Sequence, residues 1–170
     1  MLYTGCFTLP ISRKSPLTQI HLRSDRHYRK HIDSRRLREA ASQTLAHETF
    51  PGRAELTIVV TGDEEIRALN RQYRGLDAPT DVLSFGEEHV EAAADETFYL
   101  GDVIISYPHA AAQAQTAGHA VADELMLLVV HGVLHLLGHD HVERGDKRKM
   151  WAAQADVLRE MAAQVTISKQ

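Results

Sequence analysis

Residues 121–141 read VADELMLLVVHGVLHLLGHDH, and the architecture follows from how this stretch divides. Val121 to Leu137 is a long apolar run that reads as a helix. On it His131 and His135 stand four apart, so they project from one face a single turn from each other. Gly138 then ends the helix, because glycine readily takes the left-handed conformation that turns a chain back. His141, six residues after His135, swings round as a third arm. Imidazole is the commonest side-chain ligand of zinc, so HxxxHxxGxxH reads as a metal site with His131, His135 and His141 as ligands. A single helical histidine is usually a satisfied polar group; three at this spacing with a glycine turn point to a metal.

Three nitrogens leave a tetrahedral ion one open position for water, the mark of a catalytic rather than a structural zinc. Zinc lowers the pKa of that water from about 16 to about 7, which provides a nucleophile at neutral pH. The spacing equals the HExxHxxGxxH of metzincin proteases, but Gly132 stands where they carry their glutamate base. The ligands are therefore expected without the peptidase machinery. His139 is read as lining the site; its ligation in place of His141, or as a fourth ligand closing a structural site, stays open.

A second block, LNRQYRGLDAPTDVLSF, occupies residues 69–85, and a third, LGDVIIS, residues 100–106. Together the blocks resemble the YbeY family of bacterial endoribonucleases, whose hallmarks are an HGxLHLxGxDH zinc motif and an upstream LNxxYRxxDxPTDVLSF segment. The resemblance covers residues 17 to 160. It implies a zinc-dependent endoribonuclease that prefers single strands, matures the 3′ end of 16S ribosomal RNA and serves ribosome quality control. Its partners would be single-stranded RNA, ribosomal RNA and the small ribosomal subunit, with no DNA expected. It also implies one Zn2+ per chain on His131, His135 and His141, with Arg74 as the required catalytic cation. Two positions depart from the pattern: His139 replaces a common tyrosine, and Gly86 a usual proline.

Length and composition fit that picture. A chain of 170 residues makes one domain able to bury about 70% of its unfolded surface without disulfides. Its one cysteine, Cys6, forms no internal bridge and points weakly to a reducing compartment. Residues 1–16 read as a flexible extension, 17–165 as the single metal-dependent endoribonuclease domain and 166–170 as a tail. The basic residues Arg13 and Lys14 follow the apolar stretch of the N-terminus, the wrong order for a secretory signal. No run approaches the eighteen or so apolar residues of a membrane span, so a cytoplasmic protein with no membrane partner is expected. Charge is uneven. Between Ile11 and Arg38 nine lysines and arginines face only Asp25 and Asp33, whereas Glu87 to Glu96 carries five acids and no lysine or arginine. The first stretch is equally a solvated face or an RNA-contacting one, since phosphate binding depends on local cation density; the second reads as an exposed loop.

Alternation and helical spacing predict strands at Leu17–Arg23, Glu55–Thr61, Val82–Phe85 and Tyr99–Ser106. They predict helices at Ser34–Glu48 after an Asp33 cap, from Asp63 or Thr61 to near Gly75, and at Pro108–Ala117, Val121–Leu137 and Asp146–Val165. Four strands and five helices make an α+β fold, an α/β-type sandwich with a mixed sheet, carrying the zinc site on the long helix and the turn after it. Arg74 is read in loop sequence before Gly75 and the Pro79-Thr80 turn, where a fixed guanidinium would grip a phosphate oxygen if the loop faces the zinc. Tyr73 and Phe85 are assigned to the core in preference to base stacking, and Asp102 and Asp140 receive no catalytic role. Three rival readings remain at this stage: a metzincin-like metallopeptidase, a non-catalytic ribosome-assembly factor with a structural zinc, and a small-molecule metallohydrolase.

Overall fold

The computed structural model describes residues 18–86, 97–139 and 144–161. Within them it places strands β1 (Gln19–Ser24), β2 (Arg53–Thr61), β3 (Val82–Gly86) and β4 (Thr97–Ser106). The helices are α1 (Ser34–His47), α2 (Asp63–Arg74), α3 (Tyr107–Ala117), α4 (Val121–Leu136) and α5 (Arg144–Glu160). The strand order is β1-β2-β4-β3, with β1, β2 and β4 parallel and β3 antiparallel to β4 at the edge. This is the expected α+β class with a mixed four-stranded sheet. The extension 1–16, the acidic stretch 87–96, His141, Asp140 and the predicted end of the last helix lie outside the described residues.

Apolar periodicity explains the packing. Leu56, Ile58 and Val60 of β2 and Val103 and Ile105 of β4 are fully buried, and α1, α4 and α5 bring Leu37, Met126, Val130, Leu134 and Met150 into the same core. Asp33 caps α1 as expected, accepting from the backbone N–H groups of Arg35 and Arg36. The expected cap of α2 is corrected. Gly62 is its N-cap, without a side-chain bond, while Asp63 accepts from Ser106 and His109, and Thr61 donates to Glu65.

Helix α4 packs so tightly on the sheet that a Cβ at Gly132 would lie 2.5 Å from Val103 Cγ1 and 3.1 Å from Ser84 Oγ. Ser84 and Val103 therefore face α4, and by alternation Leu83, Phe85 and Asp102 face the other way, toward the side where Tyr73 of α2 meets Phe85. The parallel register jumps between Glu55↔Tyr99 and Leu56↔Gly101, leaving Leu100 as an extra residue. Gly101 (φ +130°) accommodates this bulge: a Cβ there would sit 2.0 Å from the Phe85 carbonyl oxygen. No single helix among the described residues is long and apolar enough to cross a membrane.

Candidate functional site

Helix α4 ends as its sequence predicts. Gly138 is left-handed (φ +86°), its N–H donates to the His135 carbonyl at 3.0 Å, and the His139 N–H donates to the Leu134 carbonyl at 3.0 Å. This paired closure of the last turn fixes where the chain leaves the helix. It also aims the His139 carbonyl back at the helix, where it accepts from His135 Nδ1 at 2.9 Å. Across the bundle, Gln154 of α5 offers Oε1 to His131 Nδ1 at 3.1 Å. Both Nδ1 atoms thus carry their proton, which makes Nε2 the lone-pair nitrogen of each ring.

Those two Nε2 atoms face each other at 3.2 Å, with the rings nearly perpendicular. Two lone pairs at that distance repel unless a proton or a cation lies between them. Two nitrogens about 2.05 Å from a tetrahedral zinc would stand roughly 3.3 Å apart, so the donor pair fits such an ion. Among the described residues no three His, Cys, Asp or Glu side chains converge as a metal cluster, and His141 lies outside them.

The imidazoles open into a cleft of about 650 Å³ that runs along β3 and is lined also by Arg74, Asp81, Ser84 and His139. Arg74, expected in loop sequence beside a helix closing near Gly75, is the last residue of that helix, α2, directly before the left-handed Gly75. Its exposed side chain still reaches the cleft that holds His131 and His135. His139 lines the cleft too, but its Nε2 is bonded to Glu48 Oε2 at 2.8 Å. Tyr73 is not a core residue: 61% of it is exposed. Asp102 accepts from the Tyr99 hydroxyl at 2.6 Å.

Several participants were not singled out in the sequence. Gln154 is 97% buried and occupies a core position in the Met150, Ala153, Val157, Leu158 period of α5, so a polar residue in an apolar stripe was its one signal. Glu48 had none, lying 91 residues from its partner. Asp81 holds the far end of the cleft: Oδ1 accepts from Val82 N and Thr80 Oγ1, and Oδ2 from Gln113 Nε2. Nearby, burial raises the Glu124 carboxyl above its ordinary pKa; the His119 hydrogen bond opposes this and the Asp81 charge adds to it. Ser106, His109 and Asp63 also meet, but the serine donates to the carboxylate and accepts from the His109 N–H as the α3 cap. His109 Nδ1 lies 3.5 Å from the serine oxygen but donates to Asp63 at 2.7 Å, so it is not set to take the serine proton and this trio is structural.

These features define an α+β domain with a paired-histidine cleft along a sheet edge. The family model described as Endoribonuclease YbeY matches residues 20–162, and the chain belongs to that family. It is 48% identical over 127 residues to the Endoribonuclease YbeY of Dehalococcoides mccartyi, covering 68% of this chain and 74% of that protein. The Geobacillus kaustophilus Endoribonuclease YbeY is 49% identical over 123 residues, 69% of this chain and 79% of its own length. The solution structure of TM1509 from Thermotoga maritima superposes with a TM-score of 0.57 at 21% identity, over 89% of this chain and 99% of that one, which supports the fold alone.

Proposed function

We propose that this protein is a zinc-dependent endoribonuclease that hydrolyses single-stranded RNA, acting in the cytoplasm on the 3′ end of 16S ribosomal RNA and in ribosome quality control. Membership of the YbeY family supports the reaction and the substrate class. One observation carries the metal: both imidazoles donate Nδ1–H to oxygen acceptors and bring their Nε2 atoms to 3.2 Å. His131 and His135 would hold the ion with His141. Bound there, zinc supplies Lewis acidity for the phosphoryl group and a water ionised near neutral pH.

The chain's own groups do the rest. Gln154 and the His139 carbonyl lock the ring orientations, so donor geometry is set before substrate arrives. Arg74 presents a guanidinium fork to the non-bridging phosphate oxygens and stabilises the added charge of a pentacovalent transition state. Asp81 has both carboxylate oxygens engaged, so it shapes the cleft end rather than acting as a base. A peptidase glutamate has no room at position 132, where even a methyl group would strike Val103.

Incubation of the zinc-loaded protein with single-stranded RNA, duplex RNA and unfolded casein tests the reading. Cleavage of the single strand alone, absent in His131→Ala, is expected. Zinc-dependent casein hydrolysis without RNA cleavage would overturn it.

A further inference from the structure

Tyr73, Leu76 and Tyr99 are the large hydrophobic residues left exposed among the described residues, and the first two flank Arg74. Tyr99 is accounted for by its hydroxyl, which donates to Asp102 and meets Thr57. Tyr73 is different. Its ring contacts Phe85 at a centroid distance of 5.0 Å, and its hydroxyl makes no hydrogen bond among the described residues. The helical period Ile66, Asn70, Tyr73 would bury it, as it buries the first two. Burial fails because α2 ends over β3, the edge strand of the sheet, and among the described residues no strand lies beyond it to cover the ring.

We propose that Tyr73 and Phe85 form a stacking platform for one unpaired base of the RNA, beside the phosphate held by Arg74. This rests on the endoribonuclease reading of the cleft. Alternation along β3 sends Ser84 and Gly86 into the cleft and Phe85 to the opposite side, while the consecutive residues Tyr73 and Arg74 straddle the same edge. A strand crossing that edge would place a phosphate on the guanidinium and turn its neighbouring base toward the rings. Asp77, the acid nearest Arg74 in sequence, is neutralised by a two-pronged bond to Arg67, both contacts at 2.9 Å. Aromatic faces accept any base, so the platform selects for strandedness and not for sequence. A duplex, whose bases are already stacked, has none to offer.

The test uses the full zinc-loaded chain and short single-stranded RNAs carrying one 2-aminopurine at successive positions. The wild type should perturb the fluorescence at one position beside the cleaved bond. Tyr73→Ala should abolish that signal and weaken single-strand affinity about tenfold. KM should rise accordingly, with kcat changed less than threefold and zinc content intact. Tyr73→Trp should restore binding, and duplex affinity should be the same in all variants. Wild-type single-strand affinity in a Tyr73→Ala protein that still cleaves RNA would overturn the platform alone and leave the rings to a protein partner. Absence of RNA cleavage by the wild type would overturn the functional reading and the platform with it.

Discussion

His139 Nε2 and Glu48 Oε2 lie 2.8 Å apart, tying the turn after α4 to the residue that ends α1. The ring whose metal role spacing left open is engaged with a carboxylate, while its backbone carbonyl orients His135. His139→Ala should therefore keep most of the zinc, whereas His131→Ala, His135→Ala and His141→Ala lose it. Gln154→Leu, an apolar replacement of similar volume, should lower zinc affinity by about tenfold, the usual cost of losing a group that orients a ligand histidine. Elemental analysis and chelator competition read both; full retention in His141→Ala with loss in His139→Ala would exchange the third ligand.

Gly132 is fixed by packing, not by chemistry. Gly132→Ala drives a methyl group to 2.5 Å from Val103 Cγ1, so about 1–3 kcal/mol of stability should be lost. Combining it with Val103→Ala should cost less than the sum of the two single changes, because each relieves the other. Urea denaturation of the four proteins measures this, and strict additivity would place the strain elsewhere.

Arg74 is exposed at a helix end, so Arg74→Ala removes no packing and should keep fold and zinc. Turnover should fall about a hundredfold, near 3 kcal/mol, the typical loss of one donor to a developing oxyanion. Arg74→Lys should recover little, since a point charge cannot reproduce the fork. Single-turnover cleavage at saturating RNA checks it; an unchanged rate would reduce Arg74 to a surface cation.

Burial raises the Glu124 carboxyl above its ordinary 4.5, against the pull of His119. The folded state then holds a proton that the unfolded chain releases, so this group's contribution is present at low pH and is lost as pH rises from about 4.5 through the folded value. Glu124→Gln removes the titration and keeps an acceptor for His119. Across pH 4 to 7 the wild type should lose stability relative to Glu124→Gln; parallel denaturation curves would contradict the shift.

Much of this was legible because the informative contacts are local. The i, i+4 histidines and the glycine turn are spaced by helix geometry alone, so α4 and its Gly138 closure could be read directly. What escaped depends on where elements lie relative to one another. Tyr73 fits an apolar period, and it stays in solvent because, among the described residues, the sheet ends at β3. The end of α2 near Gly75 was legible, but that Arg74 belongs to its last turn and not to the loop before Pro79 was not. Glu48 pairs across 91 residues, a separation that no local pattern encodes.

The central claim is that the paired imidazoles hold the ion that makes the cleft cut RNA. Single-turnover cleavage of a single-stranded RNA decides it, comparing wild type as zinc-loaded, chelator-stripped and zinc-restored protein with His135→Ala under the same treatments. Cleavage should vanish on stripping, return with zinc, and stay absent in a folded His135→Ala. Full-rate cleavage by the stripped protein, or by His135→Ala, would contradict the account.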